Sequence, residues 1–445
     1  MERTALTGSV RTELEGKGTL SFDYDLSLFA APSSVYSHAL ARLACLLVTA
    51  GYDRVTEDPS ARARTGFPYT KKGLSDLLDG MGFTNAEINP KAERDEETYF
   101  LAYRELLLNG ERCDLFVSAS IGSYQKTWFS NFDPLGADRV CNGGRGYAGD
   151  AEKGAIHLGF ADARDYVYTR TRDFILRHRT GKPVKLLITG HSRGAATAGL
   201  LAARVIAEGG FGDGVPIEPD DLFTYCFASP NYADTARVDV RDPRFSRIFN
   251  VNSPEDFVTG VFPRACGFGR YGVTYLFFGP DNRSRADYAR EKAVMTFYFS
   301  EYRPARPYVS YKNGNRSVGG VWRVMAGSMG KMDDFYNKKM RLCFRRCTPY
   351  EYFRDTLCTL VGGSDSPEDD RRIEKAQKLL IASALDTVGT SRAYRKISAF
   401  FVFKQGLAGA TGGRFGAEYF NDAHISETYL AYMMSMRAEQ LIKEP

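Results

Sequence analysis

The segment VKLLITGHSRGAATAGLLAARVIAE contains a serine whose surroundings suit covalent catalysis. Gly190, Ser192 and Gly194 form a Gly-x-Ser-x-Gly pattern between an apolar run and an Ala-rich run. A nucleophilic serine at a sharp strand-to-helix turn needs residues without clashing side chains two positions before and two positions after it. Glycine occupies both positions, so the pattern predicts a nucleophile elbow at Ser192, with His191 inside it.

Arg193 is the first predicted oxyanion donor. It directly follows Ser192 and begins the predicted helix. The first turn of a helix presents main-chain N–H groups and a positive dipole end, which stabilise negative charge on a nearby oxygen. The competing interpretation of this segment is a glycine-rich turn with an idle serine.

A serine nucleophile needs a general base, and His424 is the best candidate. In the strand–turn–helix arrangement the chain order is serine, acid, histidine. His424, in the segment NDAHISETYL, is the one histidine that lies well downstream of Ser192. Structural roles are favoured for the other four histidines, which are His38, His157, His178 and His191.

Asp256 is the predicted acid. It lies four residues after a strand-like apolar run that ends at Asn252, in the segment FSRIFNVNSPEDFVTGVFP. Asp234 also follows a predicted strand, but one strand earlier, and is the alternative. Glu255 is the neighbour that a shift of register would favour.

The pattern of elements predicts an α/β fold with a mostly parallel sheet. From about 113 to 253, short apolar runs alternate with amphipathic segments, which is typical of strands joined by crossover helices. Before that region we expect a helical N-terminal layer, built from the segments DLSLFAAPSSVYSHALARLACLLVTAG, KKGLSDLLDGMGF and EETYFLAYRELLL. The predicted units are a helical layer at 1–110, a core at 111–280, an insertion at 281–414 and the end of the core at 415–445.

Composition excludes several classes of protein. With 43% hydrophobic and 25% charged residues the chain has the material for a folded core, and a net charge of +5 is too small to indicate nucleic-acid binding. The eight cysteines are scattered without metal-ligand spacing, so we expect no metal and no cofactor. The segment MERTALTGSVRTELEGKGTLSF lacks the apolar stretch of a secretory signal, and the run LARLACLLVTAG is too short for a membrane span, so we expect a cytoplasmic location.

Several segments resemble the class 3, fungal-type lipase family of the α/β-hydrolase superfamily, and in the correct order. They correspond to the oxyanion loop, a His-x-Gly-Phe segment, the elbow, the following strand, the acid loop and the histidine segment. In this chain they are VSASIGSYQKTWFSNFD, AIHLGF, LLITGHSRGAA, YCFASPNYAD, NVNSPEDFVTGVFP and AHISETYLAYM. The resemblance covers about residues 113 to 275 and 415 to 440, and the predicted helical N-terminal layer resembles that of the larger bacterial members of the family.

The resemblance implies an α/β-hydrolase fold and a catalytic set of Ser192, Asp256 and His424, with Ser123 and Arg193 in the oxyanion hole. It also implies a lipid or acylglycerol ester as substrate and transient contact with a lipid surface. Two features depart from the family. Ile121 precedes Gly122 where an arginine is common, and a long insertion, a possible lid or cap, separates Asp256 from His424.

From these observations we expect a serine hydrolase that cleaves carboxylic esters through an acyl-enzyme. Two alternatives remain open at the level of sequence. One is a binding module that keeps the fold without activity, and the other is a hydrolase of thioesters or amides.

Overall fold

The computed structural model of the protein describes residues 5–14, 18–52, 55–57, 69–89, 97–122, 156–235, 237–253, 256–260, 268–277, 367 and 424–444. Ser123, Glu255 and, apart from residue 367, the predicted insertion at 281–414 lie outside this part of the chain.

The helices and strands are given in chain order. They are β1 (Thr7–Leu14), β2 (Gly18–Asp25), α1 (His38–Ala50), β3 (Val55–Glu57), β4 (Tyr69–Lys71), α2 (Lys72–Gly80), β5 (Asn85–Asn89), β6 (Thr98–Leu108), β7 (Glu111–Ile121), α3 (Leu158–His178), β8 (Val184–His191), α4 (Arg193–Glu208), β9 (Leu222–Phe227), β10 (Ala233–Asp234), β11 (Ile248–Asn252), β12 (Phe268–Gly269), β13 (Val273–Phe277), α5 (Ser426–Ser435) and β14 (Leu441–Lys443). Short 3-10 helices occur at Leu26–Ala30, Gly212–Gly214, Pro219–Asp221, Pro243–Phe245, Phe257–Gly260 and Ala438–Gln440.

An eight-stranded sheet forms the centre of the molecule, in the order β14-β13-β11-β9-β8-β7-β6-β5. The five central strands, which are β13, β11, β9, β8 and β7, run parallel to one another. Strands β5 and β6 at one edge and β14 at the other are antiparallel. The predicted α/β fold with a mostly parallel sheet is therefore confirmed.

Helices cover both faces of this sheet, and the side chains of each strand alternate between them. Helices α1, α2 and α5 contribute to one hydrophobic cluster, and α3 and α4 contribute to the other. On β8, Leu187 points into the first cluster, whereas Leu186 and Ile188 point into the second. Because both faces are buried, the central strands are continuous apolar runs in the sequence.

The prediction that EETYFLAYRELLL is a helix is wrong. Residues Thr98–Leu108 form strand β6, which pairs along its whole length with β7. A strand buried on both faces has no clear alternation, so its apolar run cannot be distinguished by periodicity from a buried helix. The turn between the two strands is Asn109-Gly110, with φ of 52° and 88°, and an Asn-Gly pair between apolar runs is a strong hairpin signal.

The N-terminal region is consequently not a helical layer. Helices α1 and α2 form where they were expected, but residues 7–14 and 18–25 pair as the antiparallel strands β1 and β2, and β5 and β6 belong to the central sheet. The expected boundary between 110 and 111 falls inside the β6–β7 hairpin. Among the residues that the structure describes, no helix is both long enough and apolar enough to cross a membrane.

Candidate active site

Ser192 stands at the turn between β8 and α4, as the elbow pattern predicts. Its backbone has φ of 60° and ψ of −127°, a conformation that residues other than glycine rarely adopt and that must be held by its surroundings. The amide of Ser192 donates to the carbonyl oxygen of Phe227 at the end of β9, at 2.9 Å. The strained serine is therefore anchored to the neighbouring strand.

Close backbone contacts explain both glycines of the elbow. A Cβ atom on Gly190 would lie well under 3.0 Å from the carbonyl oxygen of Gly194, and one on Gly194 would lie equally close to the carbonyl oxygen of Ser120. These neighbours are main-chain atoms, which cannot move aside as a flexible side chain can. The turn therefore requires glycine at both positions.

The structure brings Ser192, His424 and Asp256 into one hydrogen-bonded chain. The Nε2 atom of His424 lies 2.7 Å from Oγ of Ser192, and its Nδ1 atom lies 2.9 Å from Oδ2 of Asp256. His424 lies two residues before the start of α5, and Asp256 follows β11. The side chain of His424 is 20% exposed and that of Asp256 is 0% exposed, so the imidazole faces solvent on one side and a buried carboxylate on the other.

Further donors surround the Asp256 carboxylate. Its Oδ1 atom accepts from the amide of Val258 at 2.9 Å, and its Oδ2 atom accepts from the hydroxyl of Tyr429 at 2.8 Å. The Tyr429 oxygen in turn accepts from the amide of Ser253 at 3.0 Å. Burial and the nearby charge of Asp256 raise the pKa of Tyr429 well above its ordinary value, so the phenol keeps its proton and donates. These bonds offset the cost of burying the carboxylate.

His191, beside the nucleophile, bonds to Tyr52 at the end of α1. Its Nδ1 atom lies 2.9 Å from the Tyr52 hydroxyl, which also accepts from the amide of Gly122 at 2.8 Å. Burial, with a smaller effect from His424, lowers the pKa of His191 well below its ordinary value. A neutral His191, whose ring centroid lies 5.1 Å from that of His424, adds no repulsion when His424 gains a proton.

The side chain of Arg193 is fully engaged in the interior. Its Nε atom lies 2.9 Å from Oε2 of Glu97, and an Nη atom donates to the carbonyl oxygen of Gly159 at 3.0 Å. Burial raises the pKa of Glu97 to about 7, against the opposing charge of Arg193. The side chain of Arg193 thus braces the start of α4, and its main chain is the part that suits the predicted oxyanion role.

The remaining predicted residues belong to the oxyanion segment and to the alternative acid. Gly122 ends the described part of the oxyanion segment, and a Cβ atom there would lie 3.1 Å from Cβ of Ser192. Ser123, the next residue, lies outside the described residues. The alternative acid Asp234 pairs with Arg237 at 3.5 Å, and His424 instead contacts Asp256.

The remaining histidines make structural contacts. His38 bonds through Nε2 to the carbonyl oxygen of Met436 at 2.9 Å. His157 stacks on Phe160 with ring centroids 4.0 Å apart, and His178 stacks on Tyr103. These contacts agree with the structural roles favoured above.

Sequence reasoning did not identify three residues of the site. Glu97 and Tyr52 contact it from 96 and 139 positions away along the chain, and no local pattern indicates such contacts. Tyr429 lies five residues after His424, within the segment AHISETYLAYM that resembles the histidine segment of the family. The hydrogen bond of Tyr429 to Asp256 is seen only in the folded structure.

Comparison with known protein families gives a match to one region of the chain. The family model described as Lipase (class 3) matches residues 122–265, which include Gly122, Ser192 and Asp256. No curated protein sequence matches the chain.

Solved structures of fungal lipases align with parts of the chain. A triacylglyceride lipase of Rhizomucor miehei has 22% identity over 41% of this chain and 62% of its own, with a TM-score of 0.29. A lipase of Yarrowia lipolytica has 15% identity over 54% and 79%, with a TM-score of 0.36. Lipase II of Rhizopus niveus has 17% identity over 54% and 82%, with a TM-score of 0.32. The chain thus spans less than two thirds of the Rhizomucor miehei enzyme.

The family match, however, covers the elbow and the acid loop, so the resemblance of this chain to the class 3 lipases is confirmed at residues 122–265.

Proposed function

We propose that the protein is a serine hydrolase that cleaves carboxylic esters of lipids, such as acylglycerols, through an acyl-enzyme. The observation that carries this proposal is the chain of hydrogen bonds from Ser192 Oγ to His424 Nε2 and from His424 Nδ1 to Asp256 Oδ2, at 2.7 and 2.9 Å. A serine, an imidazole and a buried carboxylate in this order form the arrangement that activates a hydroxyl for acyl transfer.

In the first half of the reaction, Oγ of Ser192 attacks the ester carbonyl carbon while its proton passes to Nε2 of His424. The imidazolium that forms is stabilised by its hydrogen bond to the Asp256 carboxylate. His424 then gives the proton to the alkoxide oxygen as the carbon–oxygen bond breaks, and the alcohol leaves. The acyl group is now esterified to Ser192.

In the second half, water replaces the alcohol. His424 takes a proton from the water as its oxygen attacks the acyl carbon, and returns a proton to Oγ of Ser192 as the acid departs. The 20% exposure of the His424 side chain fits this step, because the base must reach both the serine and a water molecule.

The negative charge of both tetrahedral intermediates needs main-chain donors. The amide of Arg193 lies at the first residue of α4, where the helix dipole is positive. The amide of Ser123 is the second proposed donor, on the basis of family resemblance. Gly122, the residue before it, lies next to Ser192.

The lipid substrate is proposed from the class 3 lipase match at residues 122–265, and transient contact with a lipid surface follows from the insolubility of such esters. The test is hydrolysis of emulsified triacylglycerol, water-soluble short-chain esters, a thioester and an amide, with Ser192→Ala as control. We expect turnover of the carboxylic esters by the wild type and none by Ser192→Ala. Preferred turnover of the thioester or the amide would contradict the ester assignment, and an active Ser192→Ala protein would contradict the mechanism.

A further inference from the structure

We propose that Tyr52 is a positioning residue for acyl transfer. Its hydroxyl fixes the end of β7, where the predicted oxyanion segment begins, against the nucleophile elbow. This inference rests on the proposed function and assigns a role to a residue far from the elbow in the sequence.

The contacts of one oxygen atom carry the proposal. The Tyr52 hydroxyl accepts from the amide of Gly122 at 2.8 Å and lies 2.9 Å from Nδ1 of His191. A phenol has one proton and two acceptor positions, so both bonds form together. Gly122 precedes the proposed donor Ser123, and His191 precedes the nucleophile Ser192. The hydroxyl therefore links the two backbone segments whose separation sets the oxyanion geometry.

Tyr52 is itself held in place by close packing at the end of α1. Its amide donates to the carbonyl oxygen of Thr49 at 3.0 Å. A Cβ atom on the preceding Gly51 would overlap Cδ1 of Ile121, so the end of α1 lies directly against the end of β7. The hydroxyl consequently projects from a fixed point of the fold.

The residue before Gly122 has an apolar side chain that makes no hydrogen bond to the start of the predicted oxyanion segment. Family members commonly carry an arginine where this chain has Ile121, and Ile121 is buried with 1% exposure. Isoleucine packs in the core but makes no hydrogen bonds. The side-chain hydrogen bond that holds the amide of Gly122 comes instead from Tyr52, just after α1.

The variant Tyr52→Phe removes both bonds and keeps the ring. An oxyanion donor stabilises the transition state more than it stabilises the bound ester. Displacement of the donor therefore lowers kcat without raising KM. Loss of a complete oxyanion donor costs about 10²- to 10³-fold in kcat, and we expect the displacement in Tyr52→Phe to cost roughly tenfold. The rate at which a fluorophosphonate labels Ser192 falls in parallel.

Tyr225→Phe is the matched control, because the Tyr225 hydroxyl also accepts from a main-chain amide, that of Ser37 at 3.2 Å. Urea unfolding of both variants shows how much stability each loses. We expect Tyr225→Phe to keep kcat, KM and the labelling rate within about twofold of the wild type.

Three results would overturn the inference. If the wild type labels and Tyr52→Phe retains the kcat of Tyr225→Phe, Tyr52 is structural only and the proposed function stands. The same conclusion follows if Tyr52→Phe raises KM and leaves kcat unchanged. If the folded wild type neither labels nor turns over esters, the proposed function fails and the role of Tyr52 fails with it.

Discussion

At the scale of single residues, the buried carboxylate of Asp256 determines the character of the site. It is surrounded by donors from three places in the chain, the amide of Val258, the hydroxyl of Tyr429 and the imidazole of His424. A charged group without such partners would be too costly to bury. In the proposed mechanism, this carboxylate stabilises the imidazolium form of His424 during acyl transfer.

Replacing Asp256 by asparagine tests this role. The amide presents an N–H group where the carboxylate accepted one, so the imidazole is held in the wrong tautomer, and the loss in kcat is about 10³- to 10⁴-fold. Asp234→Asn makes the same chemical change at the alternative acid, and we expect it to leave kcat within about twofold. Steady-state ester hydrolysis measures kcat of both variants. A large loss of kcat in Asp234→Asn and none in Asp256→Asn would identify Asp234 as the acid.

Tyr429→Phe tests the second contact of the carboxylate. We expect kcat to fall roughly tenfold, because Asp256 loses a donor and holds the imidazole less firmly. The unfolding free energy falls by about 1 to 3 kcal/mol, since the buried oxygen and the Ser253 amide lose their partner. Hydrolysis assays and urea unfolding check the two effects, and unchanged values in both would contradict the arrangement.

How much of the site can be predicted depends on whether its signal is local. The Gly-x-Ser-x-Gly pattern indicates Ser192, and chain order then favours His424 and Asp256. Tyr52 and Glu97 carry no comparable signal, because each meets the site only through the packing of the folded chain. Polar contacts between elements that are distant in the sequence can therefore be identified only from the folded structure.

At the scale of elements, the elbow depends on how closely β7, β8 and α4 approach one another. Gly190 and Gly194 lie where a methyl group would overlap main-chain atoms of α4 and β7. The strained φ of Ser192 persists because these contacts leave the backbone no alternative.

Gly190→Ala and Gly194→Ala test this packing. The added methyl forces backbone shifts, and we expect each change to lower the unfolding free energy by about 3 kcal/mol or more. Gly214→Ala is the control, because its nearest neighbour to a new Cβ atom is a leucine methyl at 3.7 Å, and its effect should stay within about 1 kcal/mol. Urea unfolding compares the three, and equal stabilities would contradict the steric account.

The elements also show where sequence patterns mislead. Strands β8, β9 and β11 and helices α3 and α4 form where alternation of runs predicts them. Strand β6 was predicted to be a helix because LAYRELLL has helical spacing and good helix formers, and the pairing with β5 and β7 overrides that propensity. The Asn109-Gly110 pair was the local signal that indicates the hairpin.

At the scale of the whole molecule, three histidines that are partly or fully removed from solvent couple stability to pH. Burial lowers the pKa values of His38, His178 and His191 in the folded state. Below about pH 6.5 the unfolded chain therefore binds more protons at these positions than the folded chain does, and the unfolding free energy falls as the pH falls. Glu97 acts in the opposite direction, because its pKa is raised to about 7 and folding then favours its protonated form.

Urea unfolding at pH 7.5 and 5.5 tests this coupling. A fully buried histidine contributes at most about 1.4 kcal/mol per pH unit below its unfolded pKa. We expect the loss of stability between the two pH values to be smaller in His191→Gln than in the wild type and larger in Glu97→Gln. Identical losses in all three proteins would contradict the assigned directions.

The site as a whole is assembled from the turn between β8 and α4, from Asp256 after β11 and from His424, two residues before α5. In the proposed mechanism, these elements activate Ser192 as a nucleophile. Labelling of the purified protein with a fluorophosphonate, followed by peptide mass spectrometry, tests this claim without any assumption about the substrate. We predict one label per chain, located on Ser192 and absent in Ser192→Ala and His424→Ala. A folded wild type that remains unlabelled, or a label on another residue, would contradict it.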